Sequence, residues 1–395
     1  MKNLQTGDQT LVKTMNKSII LKLIADKGPV SRAQISKVTG LNKATVSTQA
    51  LELINDNFVY EIGVGKSSGG RKPVMIYFNN LAGYSIGIDL GVNYILGVLT
   101  DLSGNIIEEI TKPLNGINFD YIIKNIISTI ENLIHMAPDS PYGIVGIGIG
   151  VPGIVDKNGN ILFAPNLKWT QINVKKIIED TFNIPTRIEN EANAGAYGEQ
   201  LYGAGKNIDN IIYISIGIGI GAGIMINNTL YTGSSGISGE IGHLSIEANG
   251  IKCSCGNRGC WELYASESVL LSEVEKHQAL TDEDGKNIES IINEARNGNI
   301  KVLQILNTIG EYIGIGLTNI INTFNPETII IGNRMAQFAN WLTNPIEHML
   351  EERLSTYHKN NTQIYFSELG NYSCALGASY FSISNFFSNK KLTVI

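Results

Sequence analysis

The sequence predicts an α/β protein in two unequal parts: a small helical module followed by a pair of strands, then a much larger body of two α/β lobes. Three observations carry this reading. Residues 1–80 hold eleven Lys/Arg against five Asp/Glu, a net of +6, whereas the rest of the 395-residue chain stands at −12. The texture changes at Gly83, where glycine-spaced apolar segments begin. Two of these segments, Tyr84–Asp101 and Asn210–Asn227, have the pattern of buried β-hairpins and fall one in each half of the body. The expected divisions are 1–80 for the module, 81–190 for the first lobe with 371–395 returning to it, and 191–370 for the second lobe. The hinge is expected near Asn190.

In the module, apolar residues at Leu11, Met15, Ile19, Ile20, Leu23 and Ile24 have helical spacing, and Gly28-Pro29 ends that helix. Ser31 is a natural N-cap for a short helix, Arg32–Thr39. Gly40 supplies the turn, and Asn42 caps a third helix, Lys43–Asn55, with Val46, Ala50, Leu51, Leu53 and Ile54 available to face inward. Two helices about a glycine turn form the helix-turn-helix plan. The first turns of the third helix would enter a major groove, where Lys43, Thr45, Ser47, Thr48 and Gln49 suit phosphates and base edges, with Arg32 and Asn42 beside them. The segment Phe58–Phe78 reads as strand, basic glycine-rich tip and strand, a wing with Lys66, Arg71 and Lys72 at its tip. A basic module on an acidic body is the asymmetry of a double-stranded-DNA reader joined to a sensor; the alternative is a small domain with a solvated charged face.

In the body, Phe119–Met136 reads as a helix, Tyr142–Gly150 as a strand, Leu303–Phe324 as a long helix with internal glycines, and Thr328–Ile331 as the strand after Asn325-Pro326. The first ten residues lack the apolar core of a signal peptide, and the longest apolar run, Ile211–Ile226, is too short to span a bilayer. A cytoplasmic protein without a membrane partner is expected. Four cysteines, three in one short loop, fit a reducing compartment, with Cys374 left as a small core residue.

That loop has the most specific pattern in the chain. Cys253, Cys255 and Cys260 stand in C-S-C-G-N-R-G-C, and His243 lies ten residues ahead of the first. Three thiolates and one imidazole complete a closed tetrahedral set, the signature of structural Zn2+. The competing readings are an unliganded reduced loop or a redox pair.

Gly239-Glu240-Ile241-Gly242-His243 together with Cys253 through Glu262 resembles the signature of the ROK family of repressors, open reading frames and sugar kinases. The resemblance runs from about residue 10 onward. It implies that the two hairpin-led halves form an actin/hexokinase-like (ribonuclease H-like) sugar-kinase-type body. Family kinases carry Asp-x-Gly-Gly-Thr in the first hairpin, Gly-Thr-Gly in the second and Glu-Asn-Asp with a catalytic aspartate. Here the three read Asp89-Leu90-Gly91-Val92-Asn93, Gly217-Ile218-Gly219 and Glu189-Asn190-Glu191. Valine crowds a phosphate loop, isoleucine removes a hydroxyl, and one extra methylene displaces a general base by enough to cost about 10²-fold. The expectation is a protein that is not an enzyme.

The sugar positions of the family fare better. Gly153 lies in Gly150-Val151-Pro152-Gly153, and Asn166 in a Pro-Asn-Leu loop with one residue fewer before Trp169. Asn190, Glu191, Glu240, His243 and Glu262 complete the implied sugar site, with His243 serving both zinc and sugar. Within the family, Asn42–Ser47, Ser67–Met75, Glu189–Glu199 and Cys253–Ser266 look like a group of repressors of xylose-utilisation genes. This implies release by xylose, although no spacing distinguishes a pentose from a hexose. A symmetric homodimer, or a higher homo-oligomer, on a palindromic operator is expected. Two alternatives stay open here: an active sugar kinase with a DNA-binding arm, and a repressor answering to another sugar.

Overall fold

The computed structural model describes residues 9–64, 73–280, 287–359 and 361–393. The module contains α1 (Gln9–Lys27), β1 (Val30–Ser31), α2 (Arg32–Thr39), α3 (Lys43–Asn55), β2 (Val59–Val64) and β3 (Val74–Phe78). Local chemistry sets these bounds. Ser31 and Gln34 form a reciprocal capping box, with the Gln34 amide donating to Ser31 Oγ at 3.3 Å and the Ser31 amide donating to Gln34 Oε1 at 2.8 Å. Gly40, at φ +73°, ends α2, and Asn42 Oδ1 accepts from the Thr45 amide at 2.8 Å to start α3. β3 lies between β1 and β2.

One residue expected to be available for the core faces outward. Leu51 is 55% exposed, because α3 buries the 46–49–50–53 stripe instead. On α1 the buried face is Ile20, Leu21 and Ile24, leaving Leu11, Met15 and Ile19 exposed.

The first lobe follows with β4 (Tyr84–Leu90), β5 (Tyr94–Asp101), β6 (Ile106–Pro113), α4 (Phe119–Met136), β7 (Ile144–Val151), β8 (Ile154–Val155), β9 (Ile161–Ala164), β10 (Trp169–Ile172), α5 (Val174–Phe182) and β11 (Thr186–Asn190). Then α6 (Glu191–Tyr202) crosses to the second lobe, made of β12 (Ile211–Ile216), β13 (Ile220–Ile226), β14 (Thr229–Leu230), α7 (Glu262–Ala265), α8 (Glu267–Lys276), α9 (Ile288–Arg296), α10 (Ile300–Phe324), β15 (Thr328–Gly332), α11 (Ala339–Arg353) and β16 (Gln363–Phe366). The last helix is α12 (Tyr372–Asn389).

The main sheets are ordered β11-β7-β4-β5-β6 and β14-β13-β12-β15-β16. In each, an antiparallel hairpin is extended on one side by two parallel strands, so one topology occurs twice. This is the duplicated actin/hexokinase-like body. The hairpins lie where the glycine-spaced runs placed them, and α4 has the predicted limits.

Helix α12 packs on β4, β7 and α6 with almost no side-chain padding. A Cβ at Gly87 would collide with the Ala375 carbonyl, one at Gly148 with the Ala378 carbonyl, and one at Gly377 with the Ala194 carbonyl. At its far end the helix enters the module. Phe58 stacks on Tyr142 at 5.2 Å between ring centres and meets Phe387 at 5.4 Å. The Tyr142 hydroxyl donates to the Asp56 carbonyl at 2.7 Å, and Lys390 lies 4.6 Å over the Tyr142 ring. The module therefore shares one hydrophobic core with Leu102, Val145, Ile383 and Phe387 of the body. Among the described residues, no helix is long and apolar enough to cross a membrane.

Candidate functional site

The body's main cleft opens between the lobes. Gly153, Asn166, Asn190, Glu191, Glu240, His243 and Glu262 all line it, so the structure brings the seven residues named from sequence together. Trp169 does not join them: it is buried edge-on to Phe119 in the first lobe, with ring centres 5.3 Å apart.

Each cleft residue is held by local structure. Asn190 ends β11 and caps α6, its Oδ1 accepting from the Ala192 and Asn193 amides at 2.9 and 3.1 Å. Its Nδ2 donates to the Gly153 carbonyl at 2.9 Å, tying the loop after β7 to the start of α6. A Cβ at Gly153 would press on the Phe163 carbonyl and Ala164, so the loop closes only with glycine there. Glu191 lies on the cleft floor and accepts from Ser215 Oγ at 3.3 Å. Burial, reinforced by the charge of Asp89, pushes its carboxyl up to about 8. Asp89 is itself raised by burial, and its Oδ2 accepts the Tyr94 hydroxyl at 2.6 Å. A carboxyl that holds its proton at neutral pH can donate a hydrogen bond as well as accept one. Glu240, at the cleft mouth, is pushed up by partial loss of water; His243 opposes this shift and the charge of Glu262 adds to it.

The cysteine loop joins the cleft through His243 and Glu262, which line it. The ligand atoms of His243, Cys253, Cys255 and Cys260 all lie within 4.8 Å of one another. Cys255 and Cys260 sulfurs are 3.7 Å apart, and Cys253 Sγ is 3.7 Å from His243 Nδ1, the edge lengths expected around a zinc ion with ~2.3 Å bonds to sulfur. Gly256 and Gly259 turn the loop at φ +97° and +69°. Burial pushes the Cys260 thiol up to about 12, so only a cation in the centre would hold all three sulfurs as thiolates. The donor set and its spacing fit Zn2+. With Nδ1 on the cysteine side, Nε2 remains for the cleft. Glu262 starts α7 directly after this loop, its Oε1 3.3 Å from His243 Nδ1. Between them Trp261 is fully buried, donating from Nε1 to the Tyr312 carbonyl at 2.8 Å, and a Cβ at Gly316 would cut into its ring. The metal loop is thereby wedged into α10.

Three further cleft residues carried no sequence signal. Arg334, Glu267 and Tyr94 line the end occupied by the two glycine loops, and no motif marks them.

On the module, Asn42, Lys43, Ser47 and Thr48 are exposed on α3 and Thr45 is half-buried. Gln49 corrects the sequence reading. It is 4% exposed and faces the core on the Val46–Leu53 stripe, so it cannot reach a base. Helical phase had the signal, since 46, 49, 50 and 53 share one face. Arg32 donates to Glu61 Oε1 at 2.6 Å across to β2, which partly occupies its charge. Lys66, Arg71 and Lys72 lie outside the described residues.

The ROK family profile matches residues 85–384. The chain belongs to the ROK family. It is 50% identical to a xylose repressor of Bacillus spizizenii over 98% of this chain and 99% of that one. It is 49% identical to a xylose repressor of Bacillus subtilis over 96% and 98% respectively. Among solved structures, a ROK family transcriptional regulator described as a homologue of the Escherichia coli MLC protein superposes with a TM-score of 0.79, at 27% identity over 96% of this chain and 99% of that chain. A ROK family glucokinase from Streptomyces griseus, in complex with glucose and AMPPNP, superposes at 0.69 with 27% identity, covering 76% of this chain and 99% of the kinase. The family thus includes repressors that match nearly the whole chain and a kinase that matches three-quarters of it.

Proposed function

We propose that this protein is a transcriptional repressor of xylose-utilisation genes that binds a palindromic operator as a homodimer and is released by xylose. One combination of observations carries the reading. The polyol-binding residues converge in the cleft, while Val92, Asn93, Ile218 and Glu191 stand where a kinase needs Gly, Thr, Thr and Asp. The near-full-length match to xylose repressors supports both the operator and the effector.

In this reading Asn42, Lys43, Thr45, Ser47 and Thr48 meet the major groove, Arg32 reaches a flanking phosphate, and Lys66, Arg71 and Lys72 extend the contact from the wing. Xylose hydroxyls are held by Asn166 and Asn190 from the first lobe, by Glu240, His243 and Glu262 from the second, and by Glu191 on the floor, with Gly153 giving close backbone approach. Zinc on His243, Cys253, Cys255 and Cys260 is structural, since four protein ligands leave no open position. It fixes the imidazole and the start of α7. Sugar bridging both lobes favours closure, and the shared core passes a change in the body to the module. Such coupling is typically worth about 5–150-fold in operator affinity.

A gel-shift titration at fixed salt tests this: millimolar xylose should dissolve the operator complex, and a coupled assay with MgATP should show no sugar turnover. Release by another sugar with xylose inert would reject the effector, and turnover on the order of 1 s⁻¹ would reject the non-enzymatic reading.

A further inference from the structure

The glycine loops at the inner end of the cleft are joined by the protein itself. Arg334 follows β15 in the second lobe and reaches over the cleft, its Nη2 donating to Asn93 Oδ1 at 3.2 Å and its guanidinium lying 4.9 Å from the Tyr94 ring centre. Asn93 lies in the turn between β4 and β5 of the first lobe, and Tyr94 begins β5. On its own side, Arg334 Nη1 donates to Glu267 Oε1 at 3.1 Å, and Glu267 is 2% exposed. The Glu267 amide in turn donates to the Gly217 carbonyl at 2.9 Å, fastening the second glycine loop to the same group.

The backbone is bent to allow this. Asn333 sits at φ 62°, ψ −159°, a region that is essentially glycine's, and its side chain holds the distortion in place. Asn333 Oδ1 accepts from the Arg334 amide at 2.8 Å, and its Nδ2 donates to Ser215 Oγ at 3.0 Å. A non-glycine residue in that conformation is kept only where the surroundings over-determine it. Here the bend aims the next residue, Arg334, across the cleft so that its side chain reaches Asn93 on one side and, through Glu267, the Gly217 loop on the other.

We propose that Arg334 is an interlobe clasp. It ties the Asn93 turn to the Gly217–Gly219 loop where related kinases place nucleotide phosphates, and so holds the cleft part-closed without a ligand. Arg334 is then a positioning residue for the effector. It does not touch the sugar but lowers the closure that sugar binding must drive, and a receptor that is already partly competent binds more tightly. The effect on xylose rests on the sugar reading above; the clasp itself does not.

Two measurements on the full-length, zinc-loaded chain test it. Amide hydrogen exchange without sugar should show residues 91–94 and 217–219 exchanging faster in Arg334→Ala and in Asn93→Ala than in the parent, with β7 unchanged. Asn93 is exposed, so its variant keeps the fold and removes only the far end of the clasp. Calorimetric titration with xylose should show each single variant weaker by about tenfold, the scale of one charge-assisted hydrogen bond, and the double variant no weaker than the singles. Arg334→Lys should recover part of the loss. Parent-like exchange in both single variants, or additive losses in the double, overturns the clasp. Absence of xylose binding in the parent chain overturns the sugar reading alone, and exchange still decides the clasp.

Discussion

Glu191→Gln should abolish most of a pH dependence of stability that the parent chain carries. The Glu191 carboxyl is raised from 4.5 to about 8 by burial and by Asp89. The folded state therefore binds this proton more tightly than the unfolded chain does. Its stabilising contribution is fully present below pH ~4.5 and is lost as pH rises through ~8. A shift of that size corresponds to about 5 kcal/mol in the limit, comparable to the whole stability of a small domain. Between about pH 5 and pH 8 the parent should lose on the order of 3 kcal/mol relative to the glutamine variant, which keeps the shape and cannot ionise. Urea denaturation of both proteins across that range, with zinc present, isolates the effect, because the metal ligands titrate identically in the two. If the two stability profiles run parallel, Glu191 is ionised in the folded protein across that range and the raised carboxyl is refuted.

Three other sets of substitutions probe the remaining architecture. Cys255→Ser, or removal of the metal by a chelator, should loosen the loop that carries Glu262 and weaken xylose response before operator binding; metal analysis beside a sugar titration checks the order. Lys43→Ala should weaken the operator complex and flatten its salt dependence by about one phosphate contact, whereas Gln49→Leu should leave operator affinity unchanged and be neutral or stabilising, because the buried Gln49 Oε1 has no partner among the described residues; salt-titrated gel shifts and melting curves separate the two. Gly316→Ala should drive a methyl into the Trp261 ring, cost about 1–3 kcal/mol and lower the melting temperature.

How much of this was legible in the sequence depended on the range of the interaction. Helices α2 and α3 begin and end as expected because their limits are written in adjacent residues: Ser31 with Gln34, Gly40, and Asn42. The four residues of the candidate metal set lie within eighteen consecutive positions, and spacing alone brought them together. The cleft was reachable through motifs, each a short loop at a strand end. Gln49 departs from expectation because polarity alone places a residue on a reading helix outward, whereas the phase of its neighbours turns it inward. Phe58, Tyr142, Phe386 and Phe387 lie far apart in the chain, and nothing local in any of the three segments announces that they meet. Arg334 belongs to no motif; its partners come from the first hairpin and from α8, and only the folded chain reveals that one side chain touches both.

The aromatic junction bears on how the protein is made. Phe58 is synthesised more than three hundred residues before Phe387, yet the two rings pack together. Until α12 has been made, Phe58 lacks its partners Phe386 and Phe387. The module can complete that contact only when nearly the whole chain has emerged. A polypeptide stopped early, or cleaved before Phe386, would keep α3 and lack the α12 surface that packs on Phe58. Completion of the reading head is thus coupled to completion of the sensor, and a chain without its sensor is poorly equipped to occupy an operator from which no sugar could release it.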